Sequence, residues 1–290
     1  MKQAYLIIAH KDDLTFRTLI SMLDNENNDI FIHMDKKSKN YDEESIEKMA
    51  KKSIIYHTER SNVAWGGYSV VNAEMILLRK ATEVGHYNHY HLLSGQDLPI
   101  QSQETIQKFF LKNSDKEFVG FDKDIFTYGD RVYYRYFFQE LAGKRKSILK
   151  SVDKFLLKIQ KKLNIKRNEN IEFQKGAQWF SITDGLARYV LSKEEWIKSV
   201  FKNGFCVDEV FLQTIIINSD YTDKLYYSKS DGIHKNKNTM RLIDWSSGSL
   251  HVFRYDDLDD LRKSDLMFAR KFDCAVDERI IQKIYEIYAN

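Results

Sequence analysis

Asp208 and Glu209 are adjacent acidic residues at the start of an apolar run, "DEVFLQTII". If that run is helical, Asp208 occupies the N-cap and Glu209 the first turn, where its side chain can point into a cleft. A carboxylate in that position can take the proton from an attacking hydroxyl group. Two acids that only complement the helix dipole would give the same pattern. The sequence therefore offers Glu209 as a candidate general base, with Asp208 beside it.

Arg270 and Lys271 form a second candidate pair, in the segment "LMFARKFD". Phe268 and Phe272 flank them, so two cations stand on an apolar background. Half-buried cations of this kind can bind a phosphate group. The alternative is that their stems lie along a core helix while the charged ends remain in water.

Two further segments could contact a ligand. Asp35 in "HMDKKS" follows an apolar run, and an aspartate at a strand end can accept hydrogen bonds from ribose hydroxyls or a base edge. A turn or N-cap aspartate is the alternative. Trp65 in "VAWGGYS" could stack on a sugar or a base, although a core tryptophan beside a glycine turn is equally consistent with the pattern.

The segment "SGQDLPI" contains Asp97 and the only proline of the chain. One carboxylate beside an amide is a poor site for Mg²⁺ or Mn²⁺, which prefer several oxygen ligands. Asp122 and Asp124 form an Asp-x-Asp pattern in "FDKDI", but a single match is weak in a chain with 42 acidic residues. We therefore predict no metal ligands.

The elements that must position these residues alternate along the first half of the chain. The predicted strands cover residues 4–10, 29–35, 53–57 and 89–95, and the predicted helices cover 14–25, 43–52 and 69–84. This alternation predicts an α/β fold with a doubly wound, mainly parallel sheet. Ligands of such sheets bind beyond the carboxyl ends of the strands. These ends carry His10, Asp35, Arg60 and Asp97, and no G-x-G-x-x-G or Walker A motif follows the first strand.

The second half of the chain has a mixed pattern. We predict strands at 117–121 and 177–183 and helices at 184–201 and 208–217, while the aromatic stretch 131–141 is ambiguous. No Gly-, Ser- or Pro-rich linker separates the halves, so residues 1–290 are predicted to form one continuous domain.

The charge of the chain is balanced, with 45 basic and 42 acidic residues, which does not indicate nucleic-acid binding. Two cysteines cannot build a disulfide framework and fit a reducing compartment. The first apolar run is too short for a signal peptide or a membrane span. These features predict a soluble cytoplasmic protein.

Residues 144–168 differ from the rest, with ten basic residues and one acidic residue. Their apolar residues recur at helical spacing, which predicts a basic amphipathic helix. One interpretation is peripheral docking on an anionic membrane, at the inner face of a plasma membrane. The other is a surface helix whose apolar stripe faces the core.

Taken together, seven segments in order resemble the core-2/I-branching β-1,6-N-acetylglucosaminyltransferase family, which includes the peptide O-xylosyltransferases. The segments are "YLIIAHK", "IFIHMDKKS", "VAWGGYS", "HLLSGQDLPI", "GAQWFSIT", "DEVFLQTI" and "LMFARKFD", and they span nearly the whole chain. The resemblance implies a GT-A fold and inverting transfer from a UDP-sugar, without a metal or another cofactor. With neither a membrane anchor nor several cysteines, the chain looks like a bacterial member. The resemblance also divides the domain into a nucleotide-sugar-binding half, 1–120, and an acceptor and catalytic half, 121–290.

The resemblance also implies roles for individual residues. Glu209 matches the family's catalytic base and Lys271 its phosphate-binding lysine. Because Gly248 stands near the place of the family's partner arginine, Arg241 or Arg254 is expected to substitute. The complete donor-binding prediction comprises Ile7, Ala9, His10, Asp35, Arg60, Asp97, Arg241, Arg254, Arg270 and Lys271. The acceptor-binding prediction comprises Trp65, Gln178, Trp179 and Asp208.

The expected reaction moves a sugar, GlcNAc first among the candidates, onto a glycan or lipid-linked glycan in bacterial surface polysaccharide or glycoconjugate synthesis. Two alternatives stay open at this point. One is a metal-dependent UDP-sugar transferase that uses Asp97 or Asp124, and the other is a non-catalytic sugar-binding protein.

Overall fold

A computed structural model describes residues 2–122, 125–227, 235–246 and 248–289. Its centre is a six-stranded sheet with the order β3-β2-β1-β4-β7-β6. The first four strands in this order are parallel, and β7 and β6 run antiparallel to their neighbours. The α/β fold with a mainly parallel sheet is therefore confirmed.

The strands of this sheet are short and apolar. They are β1 (Gln3–Ala9), β2 (Asn28–Met34), β3 (Ile54–His57), β4 (His89–Ser94), β6 (Phe118–Val119) and β7 (Phe180–Thr183). The helices are α1 (Leu14–Leu23), α2 (Glu43–Glu47), α3 (Ser69–Val84), α4 (Gln103–Lys112), α5 (Asp130–Tyr133), α6 (Gln139–Ala142), α7 (Ile148–Lys162), α8 (Asp184–Ser192), α9 (Glu194–Phe201), α10 (Phe211–Ile217), α11 (Lys235–Thr239), α12 (Leu258–Lys263) and α13 (Glu278–Tyr288).

Both faces of the sheet are buried, as the continuous apolar strands predict. In β1, Leu6 belongs to a core that contains α3, α8 and α10, whereas Ile7 belongs to a second core that contains α1 and α13. Successive side chains of a strand point to opposite faces, so a single apolar strand can serve both cores. Within the described residues, none of the helices combines the length and apolar character needed to cross a lipid bilayer.

A second sheet of three strands explains the single proline. It has the order β5-β9-β8, formed by Asp97–Pro99, Phe268–Arg270 and Arg241–Ile243. Pro99 lies on the edge strand β5, where a missing N–H costs no hydrogen bond inside the sheet. The antiparallel pairing sets Asp97 opposite Arg270. The strand β5 therefore brings the "SGQDLPI" turn to the "ARKFD" segment.

Several predicted elements are shorter or divided in the structure. The helix predicted at 43–52 ends at Glu47, and the Asp24 carboxylate instead accepts the N–H groups of Lys51, Lys52 and Ser53. The helix predicted at 184–201 is divided into α8 and α9 at Lys193. The helix predicted at 208–217 begins as a separate 3-10 turn, Val207–Glu209. The ambiguous stretch 131–141 contributes two short helices, α5 and α6.

The basic segment forms the helix α7, but its apolar stripe does not face the core. Asp153 is its one buried residue, and this carboxylate accepts the N–H groups of Phe137 and Phe138. Gln160 also exchanges hydrogen bonds with the main chain of Arg135. Because polar side chains hold the helix to the protein, the interpretation of a stripe that faces the core is wrong.

Candidate active site

The carboxyl ends of β1, β2 and β4 meet at one edge of the large sheet. The Asp35 N–H donates to the Ala9 carbonyl oxygen at 2.8 Å, and the Gly95 N–H donates to the Ile8 carbonyl oxygen at 3.0 Å. Ile7 and Ala9 are buried in the second core. Two loops therefore close over the end of β1, and His10 follows directly at the surface.

Cations gather at this edge. We call Lys11, Lys144, Arg270 and Lys271 the cationic edge, and His10 lies beside it. Partial burial lowers the pKa of Lys271, and although Asp273 opposes this effect, the charges of Arg270, Lys11 and Lys144 add to it. Burial also lowers the pKa of His10, as do the charges of Lys11 and Lys271. These mutual repulsions indicate a concentration of positive charge, which favours an anionic ligand.

Arg270 is fixed by two contacts. Its guanidinium carbon lies 4.0 Å from the centroid of the Trp179 ring, and its Nη1 lies 3.5 Å from Oδ1 of Asp97. Asp97 is buried and also accepts hydrogen bonds from the N–H and the hydroxyl of Ser94. Asp97 is thus occupied by the turn of "SGQD" and by Arg270. Trp179 places Arg270 next to the predicted acceptor side.

Asp35 and Arg60 shape a turn beside the cationic edge. Asp35 accepts the N–H of Lys37 at 2.9 Å, and the Lys37 ammonium lies 3.2 Å from the same carboxylate. Arg60 donates to the carbonyl oxygens of Met34, Asp35 and Ser38. The structure therefore gives Arg60 a role in holding this loop. A direct contact of Asp35 or Arg60 with a donor stays a prediction.

The two arginines expected to replace the family's phosphate-binding arginine lie apart from each other. Arg241 is 1% exposed and donates to the carbonyl oxygens of Thr239, Leu92 and Phe180. It joins the small sheet to β4 and β7, and so it serves the fold. Arg254 is exposed, and its N–H donates to Asp257 at the start of a 3-10 turn. Arg270 is the arginine that lies beside Lys271.

The candidate base lies in a second group of charges, which we call the base cluster: Asp122, Arg131, Lys175, Asp208 and Glu209. The Glu209 carboxylate is 2.6 Å from Nη1 of Arg131 and 3.3 Å from Nζ of Lys175. Lys175 also contacts Asp122 at 2.5 Å. Although burial opposes it, the pKa of Lys175 is raised by Glu209 and Asp122. The carboxylate of Glu209 is therefore held by two cations, and its side chain is 36% exposed.

Asp208 differs from its neighbour. It lies inside the 3-10 turn and Cys206 caps that turn, so the expected N-cap role of Asp208 is wrong. Burial and the charge of Glu209 raise the pKa of Asp208 to about 7. Its Oδ1 is enclosed and has no hydrogen-bond partner among the described residues. Asp208 therefore carries a proton over much of the acidic range, while the Glu209 carboxylate is partly exposed and paired with two cations.

Glu74 is a third acid behind this turn. It is fully buried on α3, and its Oε1 accepts a hydrogen bond from the Gln178 amide at 2.9 Å. Burial raises the pKa of Glu74 well above its usual value, and the charge of Asp208 adds to the rise. Gln178 thus connects Glu74 to Trp179 and, through that ring, to Arg270. Two consecutive residues, Gln178 and Trp179, thus connect Arg270 of the cationic edge to Glu74 behind the turn of Glu209.

Two glycines allow the loops around Glu209 to approach closely. The Gly176 N–H donates to the Glu209 carbonyl oxygen at 2.9 Å, and a Cβ at Gly176 would lie 1.7 Å from the Gly120 carbonyl oxygen. Gly66 has φ +73° and accepts the Cys206 N–H at 2.9 Å. The "WGGYS" loop and the "KGAQW" segment therefore both anchor the turn that carries the base.

Trp65 lies on the loop so anchored, but its side chain is 51% exposed. It packs against Phe205, and Lys150 Nζ of α7 lies 5.7 Å from the centroid of its ring. The alternative of a core tryptophan is therefore wrong. Contact of Trp65, Gln178, Trp179 or Asp208 with an acceptor stays a prediction.

Sequence reasoning missed Arg131, Lys175, Lys144 and Glu74. Lys175 precedes the glycine of "GAQWFSIT", so its place beside a matched segment was an available signal. Arg131 lies in the aromatic stretch 131–141 and Glu74 in the helix α3, where nothing local connects them to Glu209.

Asp13, at the start of α1, belongs to a group of possible metal ligands. Asp124 lies outside the described residues. Among the residues that the structure does describe, Asp13, Asp273 and Cys274 have ligand atoms within 4.8 Å of one another. Asp13 accepts the Phe16 N–H at the start of α1, and Asp273 accepts hydrogen bonds from Gln96 and Ala275. These hydrogen bonds give both acids a structural role, so we assign no metal to them.

Comparison with known proteins identifies the family to which this architecture belongs. The family model described as Core-2/I-Branching enzyme matches residues 3–267. The chain belongs to this family. The match includes the end of β1, the "SGQDLPI" turn and Glu209, and it ends just before Arg270 and Lys271.

The individual relatives share only low sequence identity with this chain. Xylosyltransferase sqv-6 of Caenorhabditis briggsae is 24% identical over 275 residues, which cover 87% of this chain and 32% of the relative. Xylosyltransferase 2 of Homo sapiens is 21% identical over 301 residues, which cover 96% of this chain and 33% of the relative. The chain thus spans about a third of the length of the curated relatives it matches. Mouse xyloside xylosyltransferase 1 in its apo form aligns with a TM-score of 0.38 and 8% identity, over 95% of this chain and 99% of that one.

Proposed function

We propose that this chain is an inverting, metal-independent glycosyltransferase of the GT-A type that moves a sugar from a UDP-sugar to a hydroxyl group of a glycan acceptor. GlcNAc is the proposed sugar, and xylose is the alternative because the matched relatives are named xylosyltransferases. The observation that carries the proposal is the pairing of a cationic edge with a surface carboxylate on the neighbouring turn.

The cationic edge is the proposed site for the diphosphate of the donor. Lys271, Arg270, Lys11 and Lys144 concentrate positive charge there, and the Asp97 carboxylate is already occupied. When the bond between the sugar and the diphosphate breaks, negative charge accumulates on the leaving phosphate oxygen. Cations placed in advance stabilise that charge without reorganisation.

Glu209 is the proposed general base. Its carboxylate removes the proton from the acceptor hydroxyl while that oxygen bonds to the anomeric carbon, and the bonding electrons of the departing oxygen remain with UDP. Arg131 and Lys175 hold the carboxylate in position through their contacts of 2.6 and 3.3 Å. Attack from the face opposite the leaving group inverts the anomeric configuration.

The acceptor is proposed to be a lipid-linked glycan at the inner face of a bacterial plasma membrane, in surface polysaccharide or glycoconjugate synthesis. The proposed acceptor contacts are Trp65, Gln178, Trp179 and Asp208. Trp65 lies on the loop that bonds to the turn of Glu209, and Gln178 bonds to Glu74 behind that turn. The exposed ring of Trp65 provides an apolar face of the kind on which sugars stack.

A donor panel with a chelator tests the proposal. UDP release is measured with UDP-GlcNAc, UDP-xylose, UDP-galactose and UDP-glucose, each with EDTA and with added Mn²⁺. We expect turnover with one donor, UDP-GlcNAc first, at the same rate in EDTA. Activity only with Mn²⁺ would favour the metal-dependent alternative, and binding of a donor without turnover of any acceptor would favour a sugar-binding protein.

A further inference from the structure

The helix α7 carries an apolar stripe that faces away from the protein. Its residues recur every three or four positions, so they lie on one face of the helix. The exposed fractions are 80% for Ile148, 36% for Val152, 62% for Phe155, 36% for Ile159 and 61% for Leu163. We call these five side chains the outer stripe.

The amphipathic helix α13 has the opposite orientation, with its apolar face turned inward. In α13 the apolar residues Ile280, Ile281 and Ile284 are fully buried in the core. In α7 the inward positions include Asp153 and Gln160, which hydrogen-bond to the main chain of residues 135–138. The helix α7 is therefore held by these polar contacts and by the half-buried Leu149, Leu156 and Leu157, while the five side chains of the outer stripe stay exposed.

Lysines accompany the outer stripe along one side. Lys154, Lys158 and Lys162 are exposed, follow each other at intervals of four residues, and form no ion pair among the described residues. Apolar side chains flanked by lysines match the surface of an anionic lipid bilayer, where charged head groups cover an apolar acyl-chain region. A protein groove would match the stripe without needing the lysines. The charge pattern therefore favours an anionic lipid bilayer.

The position of α7 connects this surface to the active site. Lys144, just before α7, contributes to the charge around Lys271, and Lys150 lies over the ring of Trp65. The loop that carries Trp65 is bonded to the turn of Glu209 through Gly66 and Cys206. The outer stripe is therefore connected to the turn of Glu209 through Lys150, Trp65 and Gly66.

We propose that the outer stripe and its three lysines dock the chain on an anionic membrane. The five apolar side chains enter the boundary between head groups and acyl chains, and the lysines contact the anionic head groups. Docking in this way holds the cleft of Glu209 next to the lipid surface, where a lipid-linked acceptor would be presented. This last step rests on the proposed function, whereas the docking itself does not.

Vesicle sedimentation tests the docking. The whole chain is mixed with phosphatidylcholine vesicles that contain or lack phosphatidylglycerol. The variant Phe155→Gln/Ile159→Gln removes the centre of the outer stripe, and Leu111→Gln on α4 is the control because Leu111 is also an exposed apolar residue of a helix. A further variant, Lys154→Gln/Lys158→Gln/Lys162→Gln, removes the lysines.

We expect the wild-type chain to sediment with the anionic vesicles, and both α7 variants to lose at least about tenfold in partitioning while Leu111→Gln does not. Wild-type behaviour of the Phe155→Gln/Ile159→Gln variant would overturn the proposal. Failure of the wild-type chain to sediment with anionic vesicles would also overturn it. So would a wild-type dimer in solution that the Phe155→Gln/Ile159→Gln variant dissociates, because the outer stripe would then bind a second copy of the chain. Turnover with a water-soluble acceptor is measured in parallel: the α7 variants should retain it, so loss of docking and failure of the proposed activity give different results.

Discussion

The base cluster and the cationic edge use positive charge in opposite ways. Around Glu209 each cation contacts an acid: Arg131 contacts Glu209, and Lys175 contacts both Glu209 and Asp122. At the cationic edge, Arg270 contacts Asp97 and Lys11 lies 3.8 Å from Asp273, whereas Lys144 and Lys271 form no ion pair among the described residues. Paired charges fix the position of a group, whereas unpaired cations attract an anionic ligand.

This difference separates residues that orient a reactive group from residues that bind a substrate. It predicts that changes in the base cluster alter turnover, and that changes at the cationic edge alter the affinity for UDP. Single-residue variants in each of the two groups test this separation of turnover from UDP affinity.

The largest expected effect is that of Glu209→Gln. The amide keeps the shape of the side chain but cannot accept the acceptor proton, so kcat should fall by about 100-fold to 10,000-fold. The affinity for UDP, measured by calorimetry, should remain. Glu172→Gln, a change of an exposed glutamate outside the base cluster, is the control. A near wild-type rate for Glu209→Gln would remove Glu209 as the base.

Arg241→Met tests an arginine that the family resemblance offers as a phosphate ligand but that is 1% exposed in the structure. Loss of the guanidinium leaves the carbonyl oxygens of Leu92 and Phe180 without their donor. The free energy of unfolding should therefore fall by about 2 to 4 kcal/mol, as measured by urea denaturation. UDP affinity of the folded variant should be unchanged. Weaker UDP binding at wild-type stability would place Arg241 in the donor site.

Lys271→Met should weaken UDP binding by about 10-fold to 100-fold, since a charge-assisted contact with phosphate is lost. Lys112→Met, an exposed lysine on α4, is the matched control. Lys175→Met should leave the UDP affinity unchanged and lower kcat instead. Equal losses of UDP affinity in Lys271→Met and Lys175→Met would contradict the separation of the two groups.

Asp208→Asn should change how stability depends on pH. Because the pKa of Asp208 in the folded chain is about 7, above its ordinary value of 3.8, the folded state keeps a proton that the unfolded state releases. The stability that this proton provides is fully present below about pH 4 and is lost as the pH rises to about 7. Relative to the wild type, Asp208→Asn should gain about 1 to 3 kcal/mol between pH 5 and pH 8 in urea denaturation. Parallel curves for the two proteins would show that Asp208 is not a protonated buried acid.

Local patterns were sufficient for the first half of the fold. The apolar runs of β1, β2 and β4 are buried on both faces, and such runs are visible in the sequence without knowledge of distant contacts. The small sheet was not predicted because its strands have three residues each. The pairing of Asp97 with Arg270 joins segments more than 170 residues apart, and no local pattern encodes it.

The candidate site, like the fold, was predicted where local patterns were sufficient and missed where it depends on contacts between distant segments. Glu209 and Lys271 were found because each stands in a matched segment, and the structure places them in the two charged groups. Arg131 and Glu74 were missed because their positions depend on tertiary packing. The helix α7 was predicted, but amphipathic spacing alone does not tell which face turns inward. Asp153, the single acid of that segment, decides it by binding the main chain of residues 137–138.

The position of the Trp179 ring bears on how binding of the two proposed substrates is coupled. It stacks on Arg270, and its preceding neighbour Gln178 bonds to Glu74 behind the turn of the base. A diphosphate at the proposed donor site that draws the guanidinium of Arg270 outward would also move the Trp179 ring or break their stacking contact. Because Trp179 is one of the proposed acceptor contacts, binding of the two proposed substrates would be coupled through this ring, and a change in Trp179 fluorescence on addition of UDP would show it.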